Sequence, residues 1–153
     1  MRLLIILSFI LSSCNMNNSS KKKIFQDQKD IDAISEVLSR QQLSWNIGDI
    51  DNFMLGYWNS EDLIFTSSKN QPTYGWQATL ERYKKSYPSK LEMGELKFKI
   101  LNINLTSPKK AKLKGKWKII RKDDNPNGLF WLELQKFKNN WLITKDSTLS
   151  FEL

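Results

Sequence analysis

The stretch "AKLKGKWKIIRK", residues 111 to 122, constrains this chain more than any other. Leu113, Gly115, Trp117, Ile119 and Arg121 alternate with Lys112, Lys114, Lys116 and Lys118, and a two-residue period is that of a β-strand with one face in water. A helix would scatter those lysines around its circumference. Three further runs, "ELKFKILNINL" (95 to 105), "GLFWLELQKF" (128 to 137) and "WLITKDSTLSF" (141 to 151), are set apart by turns rich in Pro, Asn, Asp and Gly or by the short "KNN". Connections this short predict antiparallel neighbours. In the run that begins at Glu95, Phe98 and Ile100 share a face but Ile103 and Leu105 have changed parity, which predicts a bulge near Leu101.

Helices precede the strands. From Asp30, Ile31, Ile34, Leu38, Gln42 and Trp45 form one helical stripe, and Gly48 is the expected stop. Asp49 reads as the N-cap of a short second helix that carries Phe53, Met54, Tyr57 and Trp58, with Asp51 as a first-turn charge. "DLIFTSS" (62 to 68) is a brief strand, and Pro72 and Gly75 read as turn signals. Trp76, Leu80, Tyr83 and Tyr87 then recur at helical spacing up to Pro88. Helices first and a curved antiparallel sheet afterwards make an α+β domain in which the helices close one side of the sheet.

The N-terminus gives an address. Residues 3 to 11, "LLIILSFIL", follow Arg2 as an apolar run too short to span a bilayer and suited to the core of a secretory signal. It ends in "LSSC", and Cys14 is the single cysteine of the chain. This resembles a bacterial lipobox, which implies cleavage after residue 13 and a thioether-linked diacylglycerol on Cys14. Several acyl chains at about 0.8 kcal/mol per buried methylene give durable anchoring. The expected organisation is a signal peptide (1–13), a lipidated cysteine with a flexible polar tether (14–29) and one domain (30–153). The expected location is a bacterial membrane surface, periplasmic or outward-facing, with the lipid anchor as one partner.

Exclusions follow from what is missing. The chain has no histidine, and lipidation consumes its one cysteine. Histidine-based hydrolase triads and zinc sites are therefore ruled out, and no cofactor or metal is expected. The formal net charge is +8, concentrated in the lysine face of residues 112 to 118, to which Lys97 and Lys99 add. That face reads as a solvated surface that blocks edge pairing, with anionic lipid as the alternative. Nucleic acid is disfavoured, because exported lipoproteins seldom meet it and the aromatics are not interleaved on the lysine face.

The blocks "QQLSWNIGDIDNFMLGYW", "TYGWQATLERYKKSYP", "GKWKIIR" and "WLITKDSTLS" together resemble the SnoaL-like, nuclear transport factor 2-like superfamily, over nearly all of residues 30 to 153. The resemblance implies a cone: a bent sheet wrapped around helices, with a pocket at its open end and often a homodimer. Enzymes of the superfamily such as ketosteroid isomerase, scytalone dehydratase and limonene epoxide hydrolase use Asp, His, Tyr or Arg in that cone. Here Ser147 stands where related sequences commonly carry a histidine.

The expected pocket residues are Tyr57, Tyr74, Trp76, Tyr83, Trp117, Arg121, Asp146 and Thr148. Among them Trp76, with Leu80, is the one assigned mainly to packing. Arg121 is expected beside Asp146, an arrangement that keeps a carboxylate pKa low and suits an ion pair better than a base. On that ground the favoured reading is binding of a small, partly apolar molecule without catalysis. A lyase, isomerase or hydrolase built on Asp146, Arg121 and Tyr83 is the alternative, and an interaction module with a filled cone is the third. Gly115 is expected beside the cavity, so that a leucine there would fill it at little cost in stability.

Overall fold

A computed structural model describes residues 18–151. The elements run α1 (Asn18–Asn46), α2 (Ile50–Met54), β1 (Ile64–Ser67), β2 (Asn70–Tyr74), α3 (Trp76–Ser86), α4 (Lys90–Met93), β3 (Glu95–Ser107), β4 (Lys110–Ile120), β5 (Asn127–Phe137) and β6 (Asn140–Ser150). The six strands form one sheet in the order β2-β1-β6-β5-β4-β3. All neighbours are antiparallel except β1 and β6, which run parallel. The expected α+β fold, a curved and unclosed sheet against helices, is what the chain adopts.

Local chemistry sets the helix ends. α1 stops at Gly48, whose positive φ of 85° suits a residue without Cβ. The Asp49 side chain accepts a hydrogen bond from Asn52 N–H at 2.9 Å and so caps α2. At its other end α1 begins at Asn18, well ahead of the expected Asp30. Residues 18 to 29, expected as part of a flexible tether, are helical. Good helix formers and a Gln28–Asp32 pair one turn apart sustain that turn-by-turn extension, although Ile24 and Phe25 remain exposed.

The core lies between α1 and the concave face of the sheet. Ile34, Val37, Leu38 and Trp45 of α1 meet Leu96, Leu113, Ile119, Phe130, Leu132, Leu134 and Ile143 of the strands. β3 is an edge strand, and α1 covers part of that edge. Gln42 accepts from Phe98 N–H at 2.6 Å, and Asn46 both accepts from Leu96 N–H and donates to its carbonyl.

Alternation in β4 holds as expected: Lys112, Lys114, Lys116 and Lys118 are exposed. Lys97 and Lys99 stand directly opposite Lys118 and Lys116. The register of β3 shifts between Ile100 and Asn102, so the expected bulge at Leu101 is present, with Leu101 turned outward. A second irregularity, opposite the Glu133/Leu134 step, places an extra residue, Thr144, in β6. Strand β2 goes beyond what the sequence pattern predicts. Its Pro72 reads as a turn signal, yet an edge strand tolerates a proline.

Candidate functional site

A cavity of about 220 Å³ lies between the helices and the concave sheet. The cone is therefore not filled by its own side chains. Tyr57, Phe53, Trp45, Tyr83 and Tyr87 line it from the helical side, and Phe98, Trp117, Phe130 and Leu132 from the sheet. Lys69, Asn70 and Ser86, all exposed, mark its mouth. Edge-to-face contacts tie the walls together: Tyr83 packs against Phe53 at 5.1 Å, Phe65 at 5.6 Å and Trp45 at 6.2 Å between ring centroids.

Asp146 is the buried acid of this cavity, 5% exposed. The β6 bulge places it there. In regular alternation Ile143 and Asp146, three residues apart, would face opposite sides, and the extra residue Thr144 lets both turn inward. Its Oδ2 accepts from the Tyr57 hydroxyl at 2.7 Å and its Oδ1 from the Thr148 hydroxyl at 2.9 Å. The Tyr57 and Tyr83 hydroxyls are 3.2 Å apart, which extends the chain of polar groups along the wall.

Burial pushes the Asp146 carboxyl up from 3.8 to about 6. The two hydroxyl hydrogen bonds and the positive charge of Arg82 oppose that rise but do not cancel it. Desolvation, followed by the nearby Asp146 charge, holds the Tyr57 and Tyr83 phenols well above their ordinary value. The result is an acid able to exchange a proton near neutrality, beside two phenols that stay protonated. Together they supply a base and hydrogen-bond donors within one apolar site.

The structure brings Tyr57, Tyr83, Trp117, Asp146 and Thr148 together as expected, corrects the assignments of Arg121 and Tyr74, and narrows that of Trp76. Arg121 does not approach Asp146. It forms a two-pronged ion pair with Asp124, with both N–O distances 2.6 Å, and donates to the Glu92 carbonyl at 3.0 Å. Asp124 is only three residues away, across the β4–β5 turn, and captures the guanidinium at the end of the strand. Tyr74 is 64% exposed on the edge strand β2 and lines no cavity wall. Trp76 packs, as its main assignment expected, and does not line the pocket it was grouped with; its indole N–H donates to the Met54 carbonyl at 3.0 Å.

Gly115 is also not a cavity wall. A Cβ there would collide with the Phe130 ring, so the glycine makes room for Phe130 in a packed core. Gly115→Leu is therefore an overpacking change and not a cavity-filling one.

Two cations line the cavity, Lys69 and Arg82; Arg82 is the one held in place, although helical periodicity alone leaves it as a surface charge of α3. Its Nη1 donates to the Thr73 hydroxyl at 2.8 Å and the Gln71 carbonyl at 3.1 Å, and its Nη2 to the Ser67 hydroxyl at 2.9 Å. The guanidinium lies 4.6 Å from the centroid of the Phe65 ring. A signal for it exists in the sequence: Arg82 and Ser86 are one turn apart and flank the Tyr83–Tyr87 stripe.

No protein-family model and no curated protein matches the chain. Among solved structures it is similar to a nuclear transport factor 2-like protein of unknown function from Shewanella oneidensis MR-1. The two are 40% identical over 78% of this chain and 98% of that one, with a TM-score of 0.75. A ketosteroid isomerase-like protein from Erwinia carotovora atroseptica SCRI1043 shares the fold at 14% identity, covering 79% of this chain and 95% of that one, TM-score 0.65. So does the hexachlorocyclohexane dehydrochlorinase LinA-type3 from Novosphingobium barchaimii LL02, at 12% identity over 84% of this chain and 90% of that one, TM-score 0.69. At the identity and coverage of the Shewanella protein, the chain belongs to the nuclear transport factor 2-like family.

Proposed function

We propose that the cone takes up a small, largely apolar molecule and that Asp146 exchanges a proton with it, as in a cofactor-independent isomerase or lyase. The observation that carries this reading is a carboxyl raised to about 6 inside an aromatic cavity, hydrogen-bonded to Tyr57 and Thr148 and not to a cation. With Arg121 paired elsewhere, the low pKa expected of an ion pair does not apply. In this scheme Asp146 receives the substrate proton, the Tyr57 hydroxyl that donates to it holds the carboxylate in place, and the Tyr83 hydroxyl stabilises negative charge on the substrate. Neighbours of the same fold named as a ketosteroid isomerase-like protein and a dehydrochlorinase are consistent with such chemistry.

The test uses 5-nitrobenzisoxazole, a small flat carbon acid. Loss of its ring C–H proton to a base breaks its N–O bond and releases a coloured phenolate. Wild-type protein should accelerate this opening with a pH midpoint near 6, and Asp146→Asn should lower the rate on the order of 100-fold or more. Equal rates for the two proteins would overturn the proposal. Binding without turnover has its own support, since both Asp146 oxygens already accept hydrogen bonds. Saturable binding of the probe with no turnover would favour that second reading.

We also propose that Cys14 is lipidated and holds the domain at a bacterial membrane. Residues 1–17 lie outside the described residues, and the support is sequence alone: the apolar run of residues 3 to 11 behind Arg2, ending in "LSSC" with the single cysteine of the chain. Mass spectrometry should find diacylglycerol on an N-terminal Cys14, and Cys14→Ser should leave the membrane fraction. An unmodified Cys14 in the wild-type protein would refute it.

A further inference from the structure

We infer that the ligand of this cavity carries an anionic group, such as a carboxylate on a flat aromatic body, which pairs with Arg82 and Lys69 at the mouth while the rings hold the apolar part. The inference rests on the cone being a ligand site, as proposed above, and adds the ligand's charge.

Four observations support it. First, the Arg82 guanidinium donates to neutral acceptors, a carbonyl and two hydroxyls. No ion pair among the described residues includes Arg82 or Lys69. Second, Arg82 is held in place from several sides, by hydrogen bonds to Ser67, Gln71 and Thr73 and by the Phe65 ring beneath it. A guanidinium fixed in this way gives up little further side-chain freedom when it binds an anion.

Third, both cations line the cavity, and the acid that lines it is Asp146. Both Asp146 oxygens are taken by the Tyr57 and Thr148 hydroxyls and no ion pair joins Asp146 to Arg82, so the guanidinium keeps donors for a ligand. With Lys69, the cations of the cavity outnumber its acid. Fourth, the walls are ring faces and edges from Tyr83, Tyr87, Phe98, Trp117 and Phe130, which suit a flat apolar body. A guanidinium with donors left over beside such walls recognises a carboxylate more strongly than a neutral amide of the same shape.

The experiment compares 2-naphthoate with its neutral isostere 2-naphthamide, by calorimetry at pH 7.5. Naphthoate should bind about tenfold more tightly or better, since a charge-assisted hydrogen bond contributes about twice what a neutral one does. The preference should shrink as salt is raised. It should fall to near unity in Arg82→Gln and decline in Lys69→Gln, an exposed position where folding is not at risk. Arg121→Gln, whose guanidinium is engaged outside the cavity, should leave it unchanged.

Equal affinity of the two probes for wild-type protein would overturn the anion preference and leave the cone as a site for neutral molecules. The preference is equally overturned if neither naphthalene binds while 5-nitrobenzisoxazole is turned over. If none of the three probes binds or reacts, the reading of the cone as a ligand site falls together with this one.

Discussion

Two aspartates in this molecule are equally hidden from solvent, each 5% exposed, and they behave in opposite ways. Asp30, near the middle of α1, accepts from Lys136 at 2.5 Å, from the Trp141 indole at 3.0 Å and from Gln26 at 3.2 Å. Burial alone would raise its pKa, but those hydrogen bonds and the Lys136 charge bring it below 3.8. Asp146 has hydroxyl partners only, and burial wins. The difference teaches that low exposure alone does not decide the state of a carboxyl in this fold: Asp30 lies just beneath the surface with a cation as partner, whereas Asp146 lies deep in the cavity wall with hydroxyl partners only. Asp30 is a strut that ties α1 to β5 and β6, and Asp146 is a group that can change its charge.

The largest effect should come from breaking the strut. Lys136→Met leaves the Asp30 carboxylate buried with an indole and an amide but no cation. Removing one partner of a buried pair costs about 3 to 5 kcal/mol, because the remaining charge is still desolvated. Chemical denaturation should show a loss of this order, while the cavity and its turnover of 5-nitrobenzisoxazole remain. A loss below about 1 kcal/mol would mean that Asp30 finds water or another donor, and that the two aspartates differ less than the geometry indicates.

The contrast also shows what can be read from a sequence. The sheet, its bulge at Leu101, the Asp49 cap and the inward turn of Tyr83 and Trp117 follow from periodicity and turn chemistry, which act between near neighbours in the chain. Tyr57, expected on the second helix, lies beyond the end of α2 and is turned inward by a bridge to Ile143. Strand parity misleads at Arg121 because it gives a face and not a distance. Arg121 shares a face with Trp117, yet it sits past the end of β4, where Asp124 is within reach. The place of Asp146 in the site is legible, but its ionisation is not, since that depends on a bulge in β6 and on Tyr57, 89 positions away. Arg82 escapes a reading by pattern because helical residues beside an apolar stripe face either solvent or a cleft, according to what packs against the helix. The β1–β2 hairpin supplies that packing, and Pro72 conceals β2 behind a turn signal.

A smaller effect separates the two aspartates by sign. The folded-state pKa of Asp146 is raised to about 6, so the folded protein holds that proton more tightly than the unfolded chain does. Its contribution to stability is complete below about 3.8 and is lost as pH rises through about 6. The Asp30 pKa is lowered, so its contribution is present above the unfolded value and is lost as pH falls through the folded one. Between pH 4 and 7.5 the Asp146 loss should be on the order of 2 kcal/mol, given about 1.4 kcal/mol for each pKa unit. Asp146→Asn carries no titrating group there, so its stability relative to wild type should rise with pH over this window, with most of the change complete by neutrality. Below pH 4 the two proteins should lose stability in parallel, since both retain Asp30. Parallel curves across the whole range would place the Asp146 pKa at its ordinary value and remove the basis for a proton-exchanging group in the cone.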